Sequence, residues 1–317
     1  MYHCVWKARV NLSELINAKM PGKMVSEGVV DVLMRVEENI FVDRMQACAG
    51  TTGNFCHSRP LLLPPLPPSA LWRNTLLDRD VVCTACGSEV ASKVVFVRIA
   101  DSAWLVRMGD LFGNSPLAKD DLRKKDEAGT QIGRAKGKGF YNKLISELSL
   151  EQPRDKLLVS ICVPGNLHFS MGLWLPWTNE LFAFDSLRPC GHAAVVQDKF
   201  VPFVNHVMRK SNPDTFQPVQ VLIKDDQHGV QKQPVVGADV NACGFAAPYF
   251  LSKALTLVAE LAESKGSDHS IESMAVLLSQ GLREMTIDSS AYKNRRRCGK
   301  NDLIRLSEEY RRHVRGT

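Results

Sequence analysis

Three residues of this chain combine type and position in the way that thiol chemistry needs. Cys243 stands immediately before a long apolar helical pattern, residues 243–265. A thiol at a helix N-terminus faces unsatisfied backbone N–H groups and the positive end of the helix dipole, and both favour the nucleophilic thiolate. His168 opens one strand pattern and Asp185 closes the next, with a short turn between them around 176–179. A hairpin sets the start of its first strand beside the end of its second, so these two side chains are expected to be neighbours. A thiol, an imidazole to take its proton and a carboxylate to orient the imidazole are the parts of a nucleophilic acyl-transfer site. Gly244 is expected to leave room for a substrate backbone beside the thiol.

The elements that must position these residues can be read from periodicity. Residues 11–40 predict two helices broken at Pro21-Gly22; in the second, Val29, Val32, Leu33 and Val36 share one face, with Ser26 or one of its neighbours as a candidate cap. The spacing predicts strands over 156–163, 168–175, 180–185 and 218–224, and helices over 140–150, 191–210, 243–265, 270–285 and 302–314. Helices at both ends of a central sheet imply an α+β fold: a mixed sheet flanked by helices, with the cysteine at the N-terminus of a central helix. The intervening stretch reads differently. It contains the proline run 59–68, which cannot be helical, one β-like run at 94–99, and a charged, glycine-containing end at 119–139. The organisation expected is therefore an N-terminal part of the core over 1–45, an insertion or subdomain over 46–138, and the remaining core with C-terminal helices over 139–317.

Bulk properties narrow the class. At 317 residues with 44% hydrophobic and 23% charged, the chain reads as an ordinary globular protein with enough length for a substantial core. No run of apolar residues reaches membrane-spanning length and no signal peptide is evident, so an intracellular protein, nuclear or cytoplasmic, without a membrane partner is expected. Nine cysteines without a secretory signal argue for free, metal-bound or catalytic thiols rather than a disulfide framework. The net charge of +6 and the basic runs 133–139 and 293–300 lack interleaved aromatics, which argues against nucleic acid as the partner. Cys48, Cys56, Cys83 and Cys86 carry a separate expectation. Cys83 and Cys86 form a CxxC knuckle, and four such ligands could hold a structural zinc that staples the 46–138 segment. The spacing of Cys48 and Cys56 is not a standard half-site, and reduced, unliganded thiols are the alternative. No cofactor is needed for the thiol chemistry itself.

Two segments carry a resemblance. HFSMGLWLPWTNELFAFDSL (168–187) resembles the His-strand-turn-strand-Asp-Ser segment of the ubiquitin-like-protein-specific cysteine proteases, the SUMO-protease family related to the adenoviral protease, and QPVVGADVNACGFAAPYFL (233–251) resembles their Gln…Cys-Gly segment. Fainter likenesses lie in MVSEGVVDVLM (24–34) and GFYNKL (139–144). The resemblance implies a papain-like superfold in His-Asp-Cys order. His168 then matches the general base, Asp185 its orienting carboxylate and Cys243 the nucleophile. Gln233, ten residues before Cys243, matches the side-chain donor of the oxyanion hole. Phe169 and Met24 stand where the family has tryptophans that clamp the substrate's Gly-Gly tail, and Ala242 replaces the usual Asp before the cysteine. The implied reaction is cleavage after the C-terminal Gly-Gly of a ubiquitin-like modifier, free or conjugated. Two other functions remain open: an acyltransferase of the related His-acid-Cys type, in which an amine instead of water attacks the acyl-enzyme, and a catalytically weak binding module on the same fold.

Overall fold

The computed structural model describes residues 12–20, 23, 25–46, 81–82, 89–90, 97–100, 145, 150–165, 168–187, 191–225, 227–230, 232, 242–265, 270–288, 290, 299–301, 303–305 and 308. Two N-terminal helices, α1 (Leu12–Lys19) and α2 (Glu27–Gln46), precede a two-stranded antiparallel pair, β1 (Val81–Val82) and β2 (Glu89–Val90). A five-stranded sheet then runs in spatial order β3 (Val97–Ala100), β4 (Leu158–Gly165), β5 (His168–Leu175), β6 (Glu180–Phe184), β7 (Gln220–Lys224). Both edge strands pair in parallel and the three central strands are antiparallel, so the sheet is mixed. Helix α3 (Gly191–Ser211) connects β6 to β7, α4 (Cys243–Lys265) follows β7, and α5 (Ile271–Glu284) follows α4.

Alternation along the central strands builds two cores, because successive side chains in a strand point to opposite faces. Phe169, Met171, Leu173 and Leu175 of β5, with Phe182 and Phe184 of β6, bury against Phe245, Phe250, Leu251 and Ala254 of α4 and against α2. Trp174 of β5, Leu181 and Ala183 of β6 and Val159 and Ile161 of β4 bury against Phe200, Phe203, Val204 and Val207 of α3. Strand β5 is buried along its whole length, since helices cover both of its faces. Gly172 is what allows α3 to lie so close. A Cβ there would sit 3.1 Å from Phe200 Cδ1 and 3.2 Å from Ile161 Cγ2. Gly172→Val is therefore expected to destabilise the fold by about 1–3 kcal/mol through overpacking, read as a lowered thermal midpoint.

The expected α+β architecture is the one observed, with two local corrections. The run at Val97–Ala100 does not belong to a separate insertion. It pairs in parallel with Leu158–Ile161 as an edge strand of the central sheet, so the 46–138 boundary cut through the core. Ser26 does not cap α2 with its side chain: its Oγ is buried with no hydrogen-bond partner among the described residues, while its backbone carbonyl accepts from Val30 N–H at 3.0 Å. The helices expected over 140–150 and 302–314 fall mostly outside the described residues, although 145 and 303–305 are helical. Among the described residues, no helix is long and apolar enough to cross a membrane.

Candidate active site

The β5–β6 hairpin delivers the first two residues of the site. Its turn occupies 176–179, where Asn179 takes the left-handed φ of 54° that asparagine tolerates better than most side chains. Leu175 pairs with Glu180 and Met171 with Phe184, so the register carries His168 and Asp185 to the same end of the sheet. Their side chains meet there. His168 Nε2 lies 2.6 Å from Asp185 Oδ1, and both residues are 2% exposed.

Asp185 is itself fixed at several points. Its N–H donates to Lys224 O on β7 at 3.0 Å, and its Oδ1 also accepts the Leu187 N–H at 2.8 Å. Lys224 is in turn anchored by its buried ammonium, which donates to Arg283 O near the end of α5 at 2.7 Å, and burial pulls its pKa below the ordinary lysine value. Arg283 also pairs with Glu180 at the start of β6. The carboxylate thus hangs on a strand end whose neighbours are tied across the sheet to α5.

Cys243 is the first residue of α4 and is 3% exposed. The N–H groups of Phe245 and Ala246 both donate to Ala242 O at 2.9 Å, which closes the first turn of the helix around the thiol. His168 makes side-chain interactions with both Asp185 and Cys243. With Nε2 engaged by Asp185, Nδ1 is the ring nitrogen left to serve the sulfur. Burial pushes the pKa of His168 down from its ordinary 6.5, but hydrogen bonds to Asp185 and Cys243, with the negative charge of both, outweigh it and raise the value to about 9. At neutral pH the imidazole is then protonated, the state in which it stabilises a thiolate and can give a proton to a leaving amine.

The sign of that shift sets a pH dependence. Since the folded value lies above the ordinary one, the folded site holds an extra proton between pH 6.5 and about 9. The stabilisation from the charged imidazole is complete below 6.5 and is lost as pH rises through about 9. An activity profile is accordingly expected to fall on its alkaline side near pH 9. Asp185→Asn should move that limb toward lower pH, and by disturbing the imidazole's orientation it should cost up to about 10⁴-fold in kcat. A kcat/KM profile of wild type and variant checks both.

The structure brings together His168, Asp185 and Cys243. It also revises two expectations about substrate contacts. Gly244 does not open space for a substrate backbone, because a Cβ at that position would lie 2.6 Å from Val25 Cβ; the space is filled by the protein's own side chain. Phe169 is a core residue, 5% exposed and packed on the α4 side of the sheet. Met24 and Gln233 lie outside the described residues, as do Cys48, Cys56, Cys83 and Cys86. Among the described residues, no group of His, Cys, Asp or Glu is placed to hold a metal ion. Cys162, in the middle of β4 opposite Met171, is buried, forms no disulfide and lies away from the end of the sheet that carries the imidazole. Sequence reasoning missed Lys224 and Val25, whose contacts appear only in three dimensions.

No family model matches the chain, and no curated protein matches it. Among solved structures it is similar to the crystal structure of a de-sumoylating protease, with 14% identity over 96% of this chain and 88% of that one and a TM-score of 0.48. It is also similar to the C-terminal Ulp1 protease domain solved in complex with Smt3, the yeast ortholog of SUMO (9% identity, 83% and 78% covered, TM-score 0.33). A third similar structure is the SUMO protease Ulp1 with its catalytic cysteine oxidised to a sulfenic acid (14% identity, 59% and 70% covered, TM-score 0.31). Within this chain's own geometry, a mixed sheet flanked by helices places a buried His–Asp pair against a cysteine that begins a central helix.

Proposed function

We propose that the protein is a thiol-dependent peptidase or isopeptidase that cleaves after the C-terminal Gly-Gly of a ubiquitin-like modifier. The observation that carries the chemistry is the imidazole of His168 shared between the carboxylate of Asp185 and the sulfur of Cys243 at a helix start. The sequence resemblance of 168–187 and 233–251 supports the substrate class.

In this reading the Cys243 thiolate adds to the carbonyl carbon of the terminal glycine. The carbonyl oxygen becomes an oxyanion that the Cys243 N–H and the Gln233 side chain would hold. The carbon–nitrogen bond then breaks as protonated His168 gives its proton to the departing amine, leaving a thioester. Neutral His168 next takes a proton from water, the resulting hydroxide attacks the thioester, and the thiolate leaves to regenerate the ion pair. Asp185 keeps Nε2–H engaged, so the same nitrogen faces the sulfur in both halves of the cycle.

The test separates hydrolysis from transfer and from binding alone. Purified protein is incubated with a panel of ubiquitin-like precursors extended beyond Gly-Gly, with and without an added primary amine. The reading expects one precursor to be cut to its Gly-Gly carboxylate. A product carrying the amine in place of the carboxylate would instead establish an acyltransferase, and binding of a modifier without any turnover would establish a binding module.

A further inference from the structure

The first turn of α4 carries the nucleophile, and one bond of the helical ladder that would brace it is missing. Pro248 lies within α4 and has no N–H, so it cannot supply the i→i−4 bond to the carbonyl of Gly244. Packing from outside replaces what the ladder lacks. Val25, 3% exposed, sits directly on the bare Cα of Gly244: a Cβ there would lie 2.6 Å from Val25 Cβ and 3.1 and 3.2 Å from its two methyl groups. A second contact of the same kind falls on the next residue. A Cβ on Gly299 would lie 2.7 and 3.0 Å from the ring of Phe245 and 3.6 Å from Leu33 of α2. Segments from near both ends of the chain therefore converge on Cys243-Gly244-Phe245.

We infer that Val25 is a positioning residue, whose side chain against Gly244 sets the depth of the first turn of α4 and thereby the distance from the Cys243 sulfur to the His168 imidazole. The inference rests on the thiol–imidazole reading of the site but not on the identity of any substrate. Carbon atoms in contact settle near 3.5–4.0 Å, so an added methyl at 244 must displace the turn or Val25 by about 1 Å. Misplacing a reacting group by about 1 Å can cost about 10²-fold in rate. The pairing of a glycine with a β-branched neighbour is then a matched set: either residue can change only if the other does.

The experiment uses the full chain and a small probe, iodoacetamide, with the rate of modification of Cys243 followed by site-resolved mass spectrometry at neutral pH. Thermal midpoints are recorded for each variant, and rates are taken well below them. Gly244→Ala is expected to slow modification of Cys243 at least about tenfold, part of the loss that a 1 Å displacement permits. Adding Val25→Gly, which removes the Cβ that the new methyl would strike, is expected to recover most of that loss. If Gly244→Ala does not fold, Val25→Ala serves instead. It keeps the Cβ but removes both methyls that brace the turn, and is expected to slow modification by about threefold or more at an unchanged rate for denatured protein. A folded Gly244→Ala with the wild-type rate, a double variant no faster than Gly244→Ala, or a Val25→Ala with the wild-type rate would each overturn the inference. Because iodoacetamide needs no substrate recognition, failure of the protease reading leaves this result interpretable, and the reverse holds as well.

Discussion

Replacing Cys243 by alanine is expected to abolish turnover of a modifier precursor, a loss on the order of 10⁶-fold when the nucleophile of a cooperating triad is removed. The other described cysteine cannot substitute for it. Cys162 is fully buried in the middle of β4, paired in register with Met171, and lies away from the end of the sheet where the His168 ring meets Asp185. Cys243→Ser is expected to be nearly as inactive, because an alcohol beside the same imidazole is a far weaker acid than a thiol, so the imidazolium keeps Asp185 but has no thiolate beside it to act as nucleophile. Folding should be little affected, since serine replaces a buried sulfur at a helix start where a hydroxyl finds backbone N–H groups to satisfy it. Turnover assays on folded variants, with thermal midpoints as controls, check this.

His168→Ala is the second large effect, expected to match the loss of the nucleophile to within about tenfold, because residues that act as one unit fail together. Combining it with Cys243→Ala should therefore add almost nothing. His168→Ala also removes the proton that is held up to about pH 9 in the wild type. Modification of Cys243 by iodoacetamide should consequently lose most of its neutral-pH rate, because no imidazolium is left beside the sulfur to stabilise its thiolate. A variant that kept the neutral-pH rate would mean that the imidazole does not share its proton with this sulfur. Truncation leaves Asp185 without its partner; that buried carboxylate should cost stability as well, on the order of a few kcal/mol.

How much of this was legible in the sequence depends on how local each feature is. The His168–Asp185 pair was, because a hairpin with a short turn fixes which residues face each other, and the two strand patterns with a short turn at 176–179 were visible. The start of α4 at Cys243 was visible in the apolar period that follows it. Its approach to His168 was not, since it depends on how α4 crosses the sheet, and only the resemblance supplied it. The edge strand β3 was mistaken for part of an insertion. Parallel pairing joins segments far apart in the chain, and the four residues Val97–Ala100 carry no mark of the strand they will meet. Gly244 was misread for a related reason. A glycine after a cysteine looks like clearance for a substrate, and nothing near it in sequence announces that Val25 will occupy that clearance. The rule that places serine at a helix start failed at Ser26, whose hydroxyl is buried by packing rather than turned to the backbone.

The most direct test of the central claim is covalent capture. Wild type and Cys243→Ala would each be treated with ubiquitin-like modifiers bearing a thiol-reactive group at the C-terminal glycine, and any adduct mapped by mass spectrometry. The account predicts an adduct with at least one modifier, formed at Cys243, absent in Cys243→Ala and slowed in His168→Ala. Adducts on a different cysteine, or equal labelling of wild type and Cys243→Ala, would contradict it.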